Sequence, residues 1–157
     1  MRSLKPNEIH RQYMGFAIEL ARKNPEAPFG AILVDSKTGK IMAEGINRWR
    51  ENPVLHGEID AIMKLGQLSA EVPWSQLALY TTAEPCCMCM GAVLWTGIGT
   101  VVFGTSIATL IRLGWKQIDI SAAEVLRRCH SASCELVPGV LEEECDALFR
   151  SARRTWQ

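Results

Sequence analysis

The sequence predicts an α/β protein built on one mixed sheet with helices on both faces. Two observations predict it: an early pair of apolar runs joined by a polar turn, and strand-like and helix-like segments that alternate after that pair. The connections are short enough to need no second domain, and 157 residues can bury a proper core, so residues 1–157 are expected to form a single domain.

The elements follow in order. Ile9, Tyr13, Phe16, Ala17 and Leu20 recur at helical spacing and mark an amphipathic N-terminal helix, with Asn7 as its expected cap. Asn24-Pro25 and Pro28 end it. Ala31-Ile32-Leu33-Val34 is a short apolar run, Asp35-Ser36-Lys37-Thr38-Gly39-Lys40 a turn, and residues 41–46 a second strand, together a β-hairpin. After a polar loop over 48–53, Leu55, Ile59, Ile62 and Met63 mark a second helix, stopped near Gly66. Residues 77–82 read as a third strand, 86–96 as a third helix and 100–104 as a fourth strand. A helix-strand-helix tail completes the chain, its last helix carrying Leu141, Cys145, Leu148 and Phe149 on one face. Repeats, low-complexity tracts and linkers are absent from the sequence.

Composition narrows the class. Hydrophobic residues are 48% and charged residues 22%, as in ordinary soluble domains. Lys plus Arg and Asp plus Glu total 17 each, so net charge supplies no footprint for long nucleic acid or a membrane surface. No apolar run follows the N-terminal residues and none reaches the ~18 residues of a spanning helix, so a cytoplasmic protein is expected. Three of the six cysteines crowd into positions 86, 87 and 89, which favours metal or thiol chemistry over a disulfide framework.

Two short segments carry the chemistry. His56-Gly57-Glu58 stands at the start of the second helix and Pro85-Cys86-Cys87-Met88-Cys89 at the start of the third. Together they give H-x-E followed by P-C-x-x-C, the signature of zinc deaminases. Zinc takes about four tetrahedral ligands, and a catalytic site leaves one position for water. His56, Cys86 and Cys89 supply three; the two cysteines, three apart, can converge in a first helical turn while Cys87 points elsewhere. Helix N-termini stabilise thiolates. A zinc site of this kind brings the pKa of water towards about 7. Glu58, two residues from His56, can take the water's proton, deliver it to a ring nitrogen and help protonate the leaving amine.

Plainer readings exist for the parts. C-x-x-C alone could be a redox pair or half of a structural zinc site. The redox reading leaves His56 and Glu58 idle, and a structural site finds no fourth ligand at short fixed spacing among His10, Cys129, His130 and Cys134. Cys129, His130, Cys134 and Cys145 are read as incidental, with Cys145 packing as a small apolar residue.

At this point the sequence resembles the cytidine-deaminase-like superfamily over nearly its whole length. The resemblance implies a three-layer α/β/α fold around a mixed five-stranded sheet, one catalytic Zn2+ per chain, and oligomers, most often homodimers, in which a neighbour can help close the pocket. Pro28-Phe29-Gly30-Ala31 and Gly91-Ala92-Val93-Leu94-Trp95 are similar to stretches of bacterial guanine deaminases. Carried over, Phe29 and Trp95 would wall the pocket, Asn47 would read a ring edge and the Gly57 N–H would hold a ring carbonyl. Core packing is the other reading of Phe29 and Trp95, and a turn that of Asn47. Leu55-His56-Gly57-Glu58-Ile59 and Leu79-Tyr80-Thr81-Thr82 resemble fungal cytosine deaminase. Guanine deaminases usually carry an acidic stretch in the pocket lid where this chain has Gly114-Trp115-Lys116-Gln117, which leaves a related aminopurine or a triazine open. Trp115 reads either as a lid residue or as a surface anchor for a partner subunit.

The leading expectation is a free-base deaminase, with guanine first and attack at C2. A tRNA adenosine deaminase is the first alternative, loosely fitted by Thr82-Ala83-Glu84-Pro85-Cys86 and the basic end over 150–154; cytosine deaminase is the second. A zinc-folded interaction module that has lost catalysis would be expected to lack Glu58 or a ligand, and none is missing.

Overall fold

The computed structural model describes residues 6–68 and 71–152. Its elements are α1 (Pro6–Arg22), β1 (Gly30–Asp35), β2 (Ile41–Ile46), α2 (Gly57–Gln67), β3 (Leu77–Ala83), α3 (Cys87–Thr96), β4 (Thr100–Thr105), α4 (Ile107–Arg112), α5 (Ala122–Arg127), β5 (Glu135–Val137) and α6 (Glu142–Ser151). The sheet is five-stranded and mixed, in the order β2-β1-β3-β4-β5. β1 runs antiparallel to both neighbours, while β3, β4 and β5 are parallel.

Strand alternation divides the core between the two faces. Ile32 and Val34 of β1 pack with Tyr80 and Val102 against Met14, Ala17 and Ile18 of α1 and Cys145 of α6. Ala31 and Leu33, one register position away, pack with Leu79 and Val101 against Ala61 of α2, Met90 and Val93 of α3 and Ala122 of α5. Helices cover both faces, so every residue of β1 and β3 is buried, and the apolar stretches 31–34 and 77–80 run on without alternation.

Two close approaches set helix positions. A Cβ on Gly45 would lie 2.0 Å from the Gly57 carbonyl oxygen, so the missing side chain lets the start of α2 sit directly on β2. A Cβ on Gly104 would lie 2.3 Å from Cys145 Sγ, which seats α6 on β4. Cys145 is buried in that contact, and burial pushes its thiol up to about 12.

Two details differ from the sequence reading. Pro6 is already helical, so Asn7 lies in the first turn of α1 instead of capping it. The tail holds two short helices before its strand, because Ser106 and Ser121 each accept a hydrogen bond from a backbone N–H at N3 and Gly114, at φ 83°, breaks the chain between them. Part of the basic end over 150–154 lies outside the described residues. Among the described residues no helix is long and apolar enough to cross a membrane.

Candidate active site

One end of the sheet gathers the motifs. β1 opposes β2 and β3, so the residues before β1 meet those after β2 and β3 at the same edge. Phe29, Asn47, Glu84 and the starts of α2 and α3 all arrive there. They border a cavity of about 210 Å³ lined by Phe29, Asn47, His56, Glu58, Glu84, Cys86, Lys116 and Gln117.

His56 and Cys86 are the N-cap residues of α2 and α3, and Cys89 lies one turn into α3. Their ligand atoms lie within 4.8 Å of one another. His56 Nδ1 is 3.5 Å from Cys86 Sγ and 3.6 Å from Cys89 Sγ. Zinc bonds of about 2.3 Å to sulfur and about 2.0–2.1 Å to nitrogen, at a tetrahedral angle, separate the two ligand atoms by about 3.6 Å. The donor set therefore fits a tetrahedral zinc ion. Cys87 faces away, into a separate groove.

Without metal the three groups share protons unevenly. A hydrogen bond from Cys89, with help from His56, holds the Cys86 thiol down at about 4. The same bond and deep burial push Cys89 well up. The bond to Cys86 also raises His56 against the opposing effect of burial. The α3 N-terminus adds its partial positive charge, which favours thiolate at Cys86.

Glu58 is buried in the first turn of α2, and its Oε1 accepts a 2.9 Å hydrogen bond from the Thr81 hydroxyl of β3. Burial pushes its carboxyl up, while His56 and the Thr81 bond oppose that shift. A carboxyl held in this way, beside a metal site and facing a cavity, suits proton transfer.

The other expected residues sort differently. Phe29 lines the cavity and also packs at 5.4 Å edge-on to Trp115 and at 4.8 Å to Phe149. Asn47 lines the cavity and also makes the turn, its Oδ1 accepting from the Trp49 N–H at 3.0 Å. Gly57 packs beneath the wall, where a Cβ would lie 2.7 Å from the Phe29 carbonyl oxygen. As the first residue of α2, its N–H is one of the helix's orphan donors.

Trp95 departs from expectation. It is 92% exposed and lines a groove of about 610 Å³ with Cys87, Leu94, Ile120 and Val125. Six positions after Cys89, it falls on the far side of α3 from the ligands, so it walls no part of this chain's cavity. Trp115 is neither a free lid residue nor a surface anchor: it is buried, edge-on to Phe149 at 5.5 Å, and its Nε1 donates to the Phe149 carbonyl at 3.1 Å.

Sequence reasoning missed Glu84 as a cavity residue. Its two carboxylate oxygens accept from the Ile107 and Ala122 N–H groups, each at 2.8 Å, which ties the starts of α4 and α5 to the end of β3. The signal was an acidic residue directly before Pro85, but its partners are 23 and 38 residues away.

The sequence profile of the cytidine and deoxycytidylate deaminase zinc-binding region matches residues 7–105. A probable cytosine deaminase of Schizosaccharomyces pombe is 33% identical over 153 residues, covering 92% of each chain. A tRNA-specific adenosine deaminase of Haemophilus influenzae is 32% identical over 151 residues, covering 88% of this chain and 80% of its own. The solved structure of a guanine deaminase from Nitrosomonas europaea superposes with a TM-score of 0.76 at 26% identity, over 95% of this chain and 85% of that one. The chain therefore belongs to the zinc-binding cytidine and deoxycytidylate deaminase family.

Proposed function

We propose that the chain is a single-domain hydrolytic deaminase of a free nucleobase, with guanine as the substrate and xanthine and ammonia as the products. One observation carries the reading: buried Glu58, fixed by Thr81, shares a cavity of about 210 Å³ with two of the three grouped metal ligands and the flat wall of Phe29. That volume is small for a ligand pocket, which supports a free base over a nucleotide.

Zinc, when bound by His56, Cys86 and Cys89, supplies Lewis acidity for the activation of water. Glu58 takes the first proton of the attacking water at its carboxylate and delivers it to a ring nitrogen; it then takes the proton of the hydroxyl left on the ring carbon and gives it to the amine, which departs as ammonia. Thr81 keeps that carboxylate turned to the cavity. Phe29 stacks on the base, and Asn47 contacts its edge. The orphan N–H of Gly57 holds a ring carbonyl. A homodimer completes the reading, with the exposed Trp95 face as the apolar surface a second copy would cover.

The test is ammonia release by the zinc-loaded protein from guanine, cytosine, adenine, adenosine, cytidine, ammeline and an adenosine-34 tRNA stem-loop. Guanine should exceed the others in kcat/KM. Release from cytosine or the stem-loop, with none from guanine, would overturn the substrate assignment and leave the deaminase chemistry standing.

A further inference from the structure

The cavity's polar groups away from the metal ligands and Glu58 can be sorted into spent and unspent. Glu84 is spent, with both oxygens accepting backbone N–H groups. Asn47 is half spent: Oδ1 accepts from Trp49, and Nδ2 makes no hydrogen bond among the described residues. Lys116 and Gln117 line the cavity and make no hydrogen bond or ion pair among the described residues. The preceding residue, Trp115, is buried and its Nε1 donates to the Phe149 carbonyl. Three of the four unspent ends, counting the Lys116 cation and the two amide NH2 groups, are donors only.

A donor-lined wall selects a substrate edge that carries acceptors, since an edge of donors would leave both sides unpaired. With the guanine C2 amine directed at His56, Cys86 and Cys89, ring atom C5 lies opposite across the six-membered ring, and N7 beside it faces away from the metal ligands. N7 is an acceptor that Lys pairs with readily.

Resting on the guanine reading above, we propose that Lys116 is a specificity-determining residue that donates to N7 of the bound purine. The enzyme thus selects bases with an acceptor on the edge remote from the leaving amine.

The test measures kcat/KM for guanine and 7-deazaguanine, which lacks that acceptor, with the zinc-loaded wild type and with Lys116→Met and Lys116→Gln. Zinc content and far-ultraviolet circular dichroism serve as folding controls. The wild type should prefer guanine by roughly 10- to 100-fold, as for loss of one hydrogen bond from a charged donor. Lys116→Met should fall on guanine by a similar factor and treat the two bases alike, and Lys116→Gln, which keeps a donor, should recover part of the preference. A wild type that turns over guanine without discriminating 7-deazaguanine, or a Lys116→Met protein that discriminates as well as the wild type, overturns the role of Lys116. A wild type that releases no ammonia from guanine overturns the substrate reading itself.

Discussion

The Thr81 hydroxyl on β3 donates to Glu58 Oε1 on α2 at 2.9 Å, a contact between residues 23 apart in sequence. The same hydroxyl lies 3.1 Å from the Ala83 carbonyl. It ties the buried carboxylate to β3, at the end of the sheet where the starts of α2 and α3 bring the metal ligands. Thr81→Val keeps the shape and removes the donor. The Thr81 bond lowers the Glu58 pKa, so its loss should move the acidic limb of the kcat/KM profile to higher pH. Turnover should fall about tenfold with zinc content unchanged. An unmoved limb would show that Thr81 does not act through Glu58.

Glu58→Ala should fold and retain zinc but lose turnover by about two to four orders of magnitude. Metal analysis and ammonia release on the same preparation check it. Equal turnover in variant and wild type would remove Glu58 from the chemistry.

Zinc loading should release protons near neutral pH, because the buried Cys89 thiol must give up its proton to bind the metal. Calorimetry in buffers of different ionisation enthalpy measures the number. Cys86→Ser should lose the metal together with activity, and full occupancy in that variant would show the ligand set to be wrong.

Glu84→Gln keeps one acceptor oxygen where two N–H groups now bind. The variant should lose about 1–3 kcal/mol in urea unfolding. The segment before α5, which carries Lys116 and Gln117, should loosen, so KM should rise more than kcat falls. A fall confined to kcat would place Glu84 in the chemical step instead.

Asp60 ties three pieces together, accepting from the Ile46 N–H at 3.1 Å, Arg48 at 3.1 Å and Lys64 at 2.9 Å. Burial pushes its carboxyl up, but the donations from Lys64, Ile46 and Arg48 outweigh it and leave the pKa lowered. A folded pKa below the unfolded value of about 3.9 means the stabilisation is full above that value and lost as pH falls through the folded one. Asp60→Asn should therefore cost about 1–3 kcal/mol at pH 7, and the gap from wild type should close in acid. A gap independent of pH would assign the effect to packing.

The sequence by itself determined what is local. Cys86 and Cys89 share a helical turn, and Glu58 stands two residues from His56, so each half of the site is written in a short stretch whose geometry the backbone fixes. The apolar run at 31–34 and the strand at 77–82 were likewise legible in their own residues, and both strands are buried. Only the tertiary structure decided what depends on how elements pack. The two halves meet because β1 runs antiparallel between β2 and β3. Trp95 and Trp115 are chemically alike, yet one is 92% exposed on the outer side of α3 and the other 4% exposed beside Phe149. The face an aromatic residue presents is set by distant partners, which leave no periodic mark in the sequence around it. Glu84, Thr81 and Lys116 followed the same rule, since the hydrogen-bond partners and the cavity that give them meaning are assembled from residues tens of positions away.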